Sequence, residues 1–272
     1  MNEMTGMKMI LSESFKCLRN NATRILLLVL LISLPIALIQ ACVVDARFDV
    51  NGVMSVIEDA QAQMEAGEEF ADAGALTDAS SKLLTYLGIT MLLSAFSLIV
   101  QIGVMLIVRN HRDGVVTEFR DVFEMALRLF PKVLLTQILA GVLMAIGFLF
   151  CVLPGVFMYY VFYMIPYGVV YTELWGRKGL FVSSLYSRKY GRKVLSMILI
   201  NLLYTWLTSM LVQFLVGLLP HSAVMTAVSG TVAYCVQDLF SCVLVACFST
   251  MALSMDLGVD LSQLGGKTRV VD

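Results

Sequence analysis

Charge is what this sequence has least of. Only 14% of its 272 residues are Asp, Glu, Lys or Arg, against about 25% in a soluble domain. Histidine is nearly absent too: His111 and His221 are the only two, and they lie in different connections. No imidazole cluster for a metal can be assembled from them. The six cysteines (Cys17, Cys42, Cys151, Cys235, Cys242 and Cys247) include no CxxC pair, and none lies in the polar stretch 45–82. That excludes a disulfide framework where oxidation would be expected, and the thiols read as small hydrophobes between helices. Catalytic signatures are missing as well. The chain has no GxSxG, no HExxH, no phosphate loop and no paired carboxylates beside a base.

What is present is apolar surface. Hydrophobic residues make up 59% of the chain and mean hydropathy is +0.84. A single soluble core cannot absorb that much apolar area, because a globule of this size must still cover itself with polar groups. A soluble enzyme, a disordered chain and a nucleic-acid binder with a basic face are excluded. The solvent of this protein is mostly lipid.

Six stretches without Lys or Arg can be picked out, at about 25–44, 83–108, 133–153, 156–172, 194–219 and 224–254. In lipid the backbone must bond within its own segment, and these runs are too long for barrel strands. They predict an all-α membrane bundle of six transmembrane helices, as one integral membrane domain over 1–272. Ile39-Gln40-Ala41-Cys42 faintly resembles a lipoprotein cleavage site, but the run 25–44 is long enough to cross the hydrocarbon core and is read as a retained first span. Pro154 is expected to end the third helix and Gly155 to permit a tight reversal into the fourth.

Orientation follows from the basic residues. Seventeen of the 19 Lys and Arg fall in segments 1–24, 109–132, 173–193 and 255–272, and two fall in 45–82. This predicts a multi-pass protein of the cell (cytoplasmic) membrane, with both termini and the tail 255–272 in the cytoplasm and 45–82 outside. The outer loop 45–82 carries nine acids and reads as an acidic, solvated face. Within it Val53, Val56, Ile57, Ala60 and Met64 recur at helical spacing, which predicts a short amphipathic helix over 52–66.

An internal repeat is visible in the segments entering the odd-numbered spans. Ser14-Phe15 leads to Arg24-Ile25-Leu26, Val122-Phe123 to Lys132-Val133-Leu134, and Ser183-Ser184 to Lys193-Val194-Leu195. The pattern predicts three units, each an interfacial amphipathic helix followed by a helical hairpin. The basic connections, Arg177-Lys178 and Arg188-Lys189 with Arg192-Lys193 above all, are expected to meet anionic inner-leaflet lipid.

Polar groups inside the spans supply the candidate sites. Asp238 is the one ionisable residue deep in an apolar run. It reads either as a proton or cation site or as a structural carboxylate near the outer end, paired by Gln213 or Gln237. A helix break at Ser229-Gly230 would put it only about 10 Å from the outer boundary. Gln101, Gln137, Asn201 and Gln213 lie in four different spans and read as interhelical glue. In the fourth span Tyr159, Tyr163, Tyr167 and Tyr171 recur every fourth residue, and Pro166 is expected to kink the helix by freeing the carbonyl of Phe162. The stripe reads as packing and interfacial belt, with a lipid or small-molecule groove as the alternative.

The stretch 153–195, LPGVFMYYVFYMIPYGVVYTELWGRKGLFVSSLYSRKYGRKVL, carries a wider resemblance. It is similar to the central signature of six-span bacterial and archaeal membrane proteins, among them the membrane domain attached to some glycerophosphoryl diester phosphodiesterases. The matching features are Pro154-Gly155 opening the fourth helix, Pro166 within it, Glu173 at its cytoplasmic end and Ser184 beginning an amphipathic helix. The segment 249–257 is similar to the group's closing Asp-Leu pattern, whereas the 45–82 loop and Ser254-Met255 depart from it. The resemblance implies the six-span fold and a Glu173 that pairs with Arg177 or caps the Ser184 region. It carries no catalytic residue, because the group's phosphodiesterase activity sits in a separate soluble barrel of about 250 residues that the chain outside these spans is too short to form. The expectation is a non-enzymatic membrane scaffold or accessory protein with no cofactor, interacting with lipid, a protein partner or a second copy of itself. A transporter or lipid-translocating protein is the alternative.

Overall fold

The computed structural model describes residues 12–44, 48, 50–65, 73–115, 118–217 and 223–255. Among these there is no strand, and six helices are long and apolar enough to cross a membrane: Ala22–Val44, Leu76–Arg112, Phe119–Phe150, Val152–Thr172, Gly191–Phe214 and Val228–Leu253. The chain is a polytopic helical bundle, as the apolar runs require.

The second span is its axis. Val100, Ile102, Val104, Met105, Leu106, Ile107 and Val108 are all buried, so this helix is enclosed on every side at its basic end. Half of its most apolar window is buried, against 17% for the fifth span, whose leucines face outward. The helix containing it runs Ala73–Arg112, 40 residues, or about 60 Å against a hydrocarbon core of about 30 Å. Its acidic end therefore stands clear of the membrane. The predicted amphipathic helix forms over Val50–Glu65 and packs against that projection, with Phe48 edge-on to Tyr86 at 5.9 Å.

The repeat reappears as a register of burial. Ser14, Val122 and Ser183, each ten residues before the boundary cation, are buried. So are Ile25, Val133 and Val194 just after it, and Leu28, Thr136 and Met197 one turn further on. The segment entering each hairpin also touches the second span of another hairpin. Ser183 Oγ donates to the Val161 carbonyl in the fourth span, and Phe130 stacks on Phe96 in the second at 5.8 Å. Ser14 Oγ donates to Thr250 Oγ1 in the sixth span at 3.0 Å, so the first unit closes on the last.

Four local expectations are corrected. The second unit has no separate amphipathic helix, because Phe119–Phe150 is continuous through Pro131; the first and third units are interrupted at Asn21 and Tyr190, and no comparable break intervenes here. Pro154 does not end the third helix, which stops at Phe150. It lies in the first turn of Val152–Phe162, where a missing N–H costs no intrahelical bond. Gly155 is helical and makes no reversal. Its lack of a Cβ instead lets it sit against Phe148 and within van der Waals contact of Gly147 across the hairpin. Ser184 does not begin its helix, which starts at Arg177.

Candidate functional site

Pro35 in the first span and Pro166 in the fourth are treated differently by the bundle. In the fourth span the helix ends at Phe162, turns through Tyr163-Met164 and restarts at Ile165, with Pro166 in the new first turn. The sequence expectation of a kink there is met by a full interruption. Carbonyls at the end of the first segment lose their helical donors, and in lipid that is costly. The helix Arg177–Lys189 supplies replacements. Ser183 Oγ donates to the Val161 carbonyl at 2.8 Å, and Ser187 Oγ reaches the carbonyls of Tyr160 and Val161 at 3.2 Å. Tyr160 Oη donates in return to the Ser187 carbonyl at 3.0 Å.

This seal demands close approach. Gly179, Ser183 and Ser187 recur every fourth residue and are all buried, a small-residue stripe of the kind that brings helices together. A Cβ on Gly179 would lie 3.0 Å from Val169 and 3.1 Å from both the Leu174 carbonyl and Thr136. Thr136 in the third span also accepts the Gly176 N–H at 2.8 Å, fixing the turn. Glu173 ends the fourth span in the left-handed conformation (φ 58°), donating its N–H to the Val169 carbonyl. The expected Tyr stripe turns from the surface into the bundle along the span. Tyr159 is the most exposed member, Tyr163 packs edge-on against Phe248 of the sixth span, and Tyr167 and Tyr171 are buried. Burial of Tyr167 and Tyr171 takes these two out of a lipid-facing belt.

The first span handles Pro35 without breaking. A π-helical segment, Val29–Ser33, absorbs the register change before Leu34–Ile39, and a second one follows at Gln40–Val44. The first segment ends on Ser33, which is fully buried and donates its hydroxyl to Asp238 Oδ2. Ser241 Oγ lies 3.2 Å from Asp238 Oδ1. The expected partners Gln213 and Gln237 are exposed instead. The expected break at Ser229-Gly230 is also absent, since the helix runs unbroken over Ala223–Leu253. Asp238 is the middle residue of that helix, and Ser33 is the middle residue of Ala22–Val44. The two meet halfway along their spans, the depth at which a carboxylate is most costly.

Above this pair, toward the acidic end, lies a cavity of about 350 Å³ between the first, second and sixth spans. Gln40, Tyr86, Thr90, Ser94, Tyr234 and Gln237 place polar groups in a lining that is otherwise apolar. Gln40 Nε2 is 3.4 Å from Thr90 Oγ1, while Tyr234 stands one helical turn from Asp238 on the same face. The amides Gln101 and Gln137 are half-buried elsewhere and make no side-chain hydrogen bond among the described residues. Sequence reasoning missed Ser33, although a serine two residues before a proline in an apolar run was the available signal.

Outside the spans, burial pushes the Cys17 thiol up to about 11, which keeps it protonated and unreactive. No protein-family model, no curated protein and no solved structure matches the chain.

Proposed function

We propose that this is a multi-pass protein of the cell membrane, both termini cytoplasmic, that organises lipid or a protein partner without catalysing a reaction. The observation that carries the reading is how the helix Arg177–Lys189 is mounted. Gly179, Val182, Ser183, Tyr186 and Ser187 dock it into the bundle, while Arg177 and Lys178 in its first turn, Arg188 and Lys189 in its last, and Arg192 and Lys193 just beyond it are left exposed. Exposed basic groups at both ends of a docked helix suit anionic headgroups, each contact adding about 1 kcal/mol. Kinship with the six-span group named above is part of the same proposal. Crosslinking and affinity purification in mild detergent should recover a consistent partner, a homo-oligomer or bound anionic lipid. A clean monomer that retains none of these would contradict it.

Asp238 supports a second reading, translocation of a proton or small cation. Its motivation is a mid-span carboxyl held by Ser33, one helical turn from Tyr234 in the lining of the cavity. Reconstituted in proteoliposomes with a trapped pH-sensitive dye, wild type should then dissipate an imposed proton gradient, and Asp238→Asn should not. Equal traces from both would end this reading.

A further inference from the structure

A second cavity of about 350 Å³ opens at the basic end of the first hairpin, where the first span begins and the second ends. Asn20, Asn21, Arg24, Ile107, Asn110 and His111 line it. Asn21 is buried and anchors the site: its Nδ2 donates to the Cys17 carbonyl at 3.0 Å, and its Oδ1 accepts from Arg24 Nη1 at 2.8 Å. The guanidinium is thus held in place by one of its five N–H donors, with the rest available to a planar or tetrahedral anion. Neither Arg24 nor His111 has an acidic partner among the described residues. A pre-positioned cation beside an imidazole and carboxamides, ion-paired to no acid among the described residues, is suited to an oxyanion.

We infer that this cavity binds the phosphate of an anionic membrane lipid. Arg24 supplies charge-assisted bonds, His111 and the asparagines supply further polar contacts, and Ile107 closes the apolar side. The surface below the cavity fits the rest of such a molecule. Leu27 and Leu31 follow Arg24 along one face of the first span and are both exposed, giving acyl chains an apolar track. A free phosphate has the same headgroup chemistry but no use for that track. The inference rests on the proposed engagement of anionic lipid and assigns it one address.

Native mass spectrometry of the full-length protein in phosphatidylcholine-containing micelles tests it, with phosphatidylglycerol as the probe. Wild type should retain one phosphatidylglycerol per chain. Arg24→Gln should lower that occupancy about tenfold, and Arg188→Gln with Lys189→Gln should leave it unchanged. If Arg24→Gln does not fold, Arg24→Lys and His111→Gln should each weaken retention by a smaller factor. Failure of millimolar inorganic phosphate to displace the lipid identifies the lipid as ligand; full displacement identifies a soluble phosphate and overturns the lipid assignment. Retention insensitive to Arg24 and His111 but abolished by Arg188→Gln with Lys189→Gln overturns this site and leaves the broader reading standing. No preference for phosphatidylglycerol over phosphatidylcholine overturns both.

Discussion

The first and fourth spans both lose a backbone hydrogen bond to proline, and the difference lies in what replaces it. The fourth breaks outright, and its orphaned carbonyls are capped by two serines from a helix 22–27 residues further along the chain. The first stays continuous through a π segment whose last residue is committed to Asp238. One interruption is sealed with neutral groups that have no other task. The other positions an ionisable group one helical turn below Tyr234, which lines an open cavity. A proline in a membrane helix therefore says only that backbone groups are released; the partner decides whether the site is structural or chemical.

The largest effect should come from breaking the seal. Ser183→Ala combined with Ser187→Ala strands buried carbonyls at about 1–3 kcal/mol each. The detergent-solubilised protein should lose several degrees of thermal stability, read by tryptophan fluorescence. Next comes Gly179→Leu, whose side chain has no room between Val169, Leu174 and Thr136. Overpacking of this kind costs about 1–3 kcal/mol, and hydrogen exchange should quicken across 176–189 in that variant. Ser33→Ala should be milder, about 0.6–2 kcal/mol, because Asp238 keeps Ser241; the same melting assay ranks it below the serine pair. Smallest of all is Asp78→Asn. Its 2.6 Å bridge to Lys82 joins two exposed side chains one turn apart, and such pairs contribute little. An unchanged melting curve is expected.

The number, class and order of the spans were legible because lipid imposes one rule on every backbone group, and that rule writes itself into long apolar runs. Pro166 was legible for the same reason, as was the helix over 52–66. What the sequence left open were pairings between distant segments. Asp238 was matched to Gln213 or Gln237 because amides are the obvious polar neighbours of a carboxylate, yet a buried serine 205 residues away holds it. The seal was missed because its donors lie in a connection that reads as basic and interfacial. The four-residue spacing of Gly179, Ser183 and Ser187 marked that helix as one that packs closely, and it was overshadowed by the charges around it. Pro154 was misplaced by three residues because a proline beside a turn serves the start of one helix as well as the end of another.

The contrast between a sealed and an open proline site is tested most directly by cysteine labelling in intact cells, with the six native cysteines replaced. Gln40→Cys and Thr90→Cys lie in the open cavity, and Val161→Cys and Ser183→Cys lie in the seal. A membrane-impermeant maleimide added from outside should modify the first pair and leave the second untouched. Labelling of the seal but not the cavity, or equal labelling of both, would contradict the account.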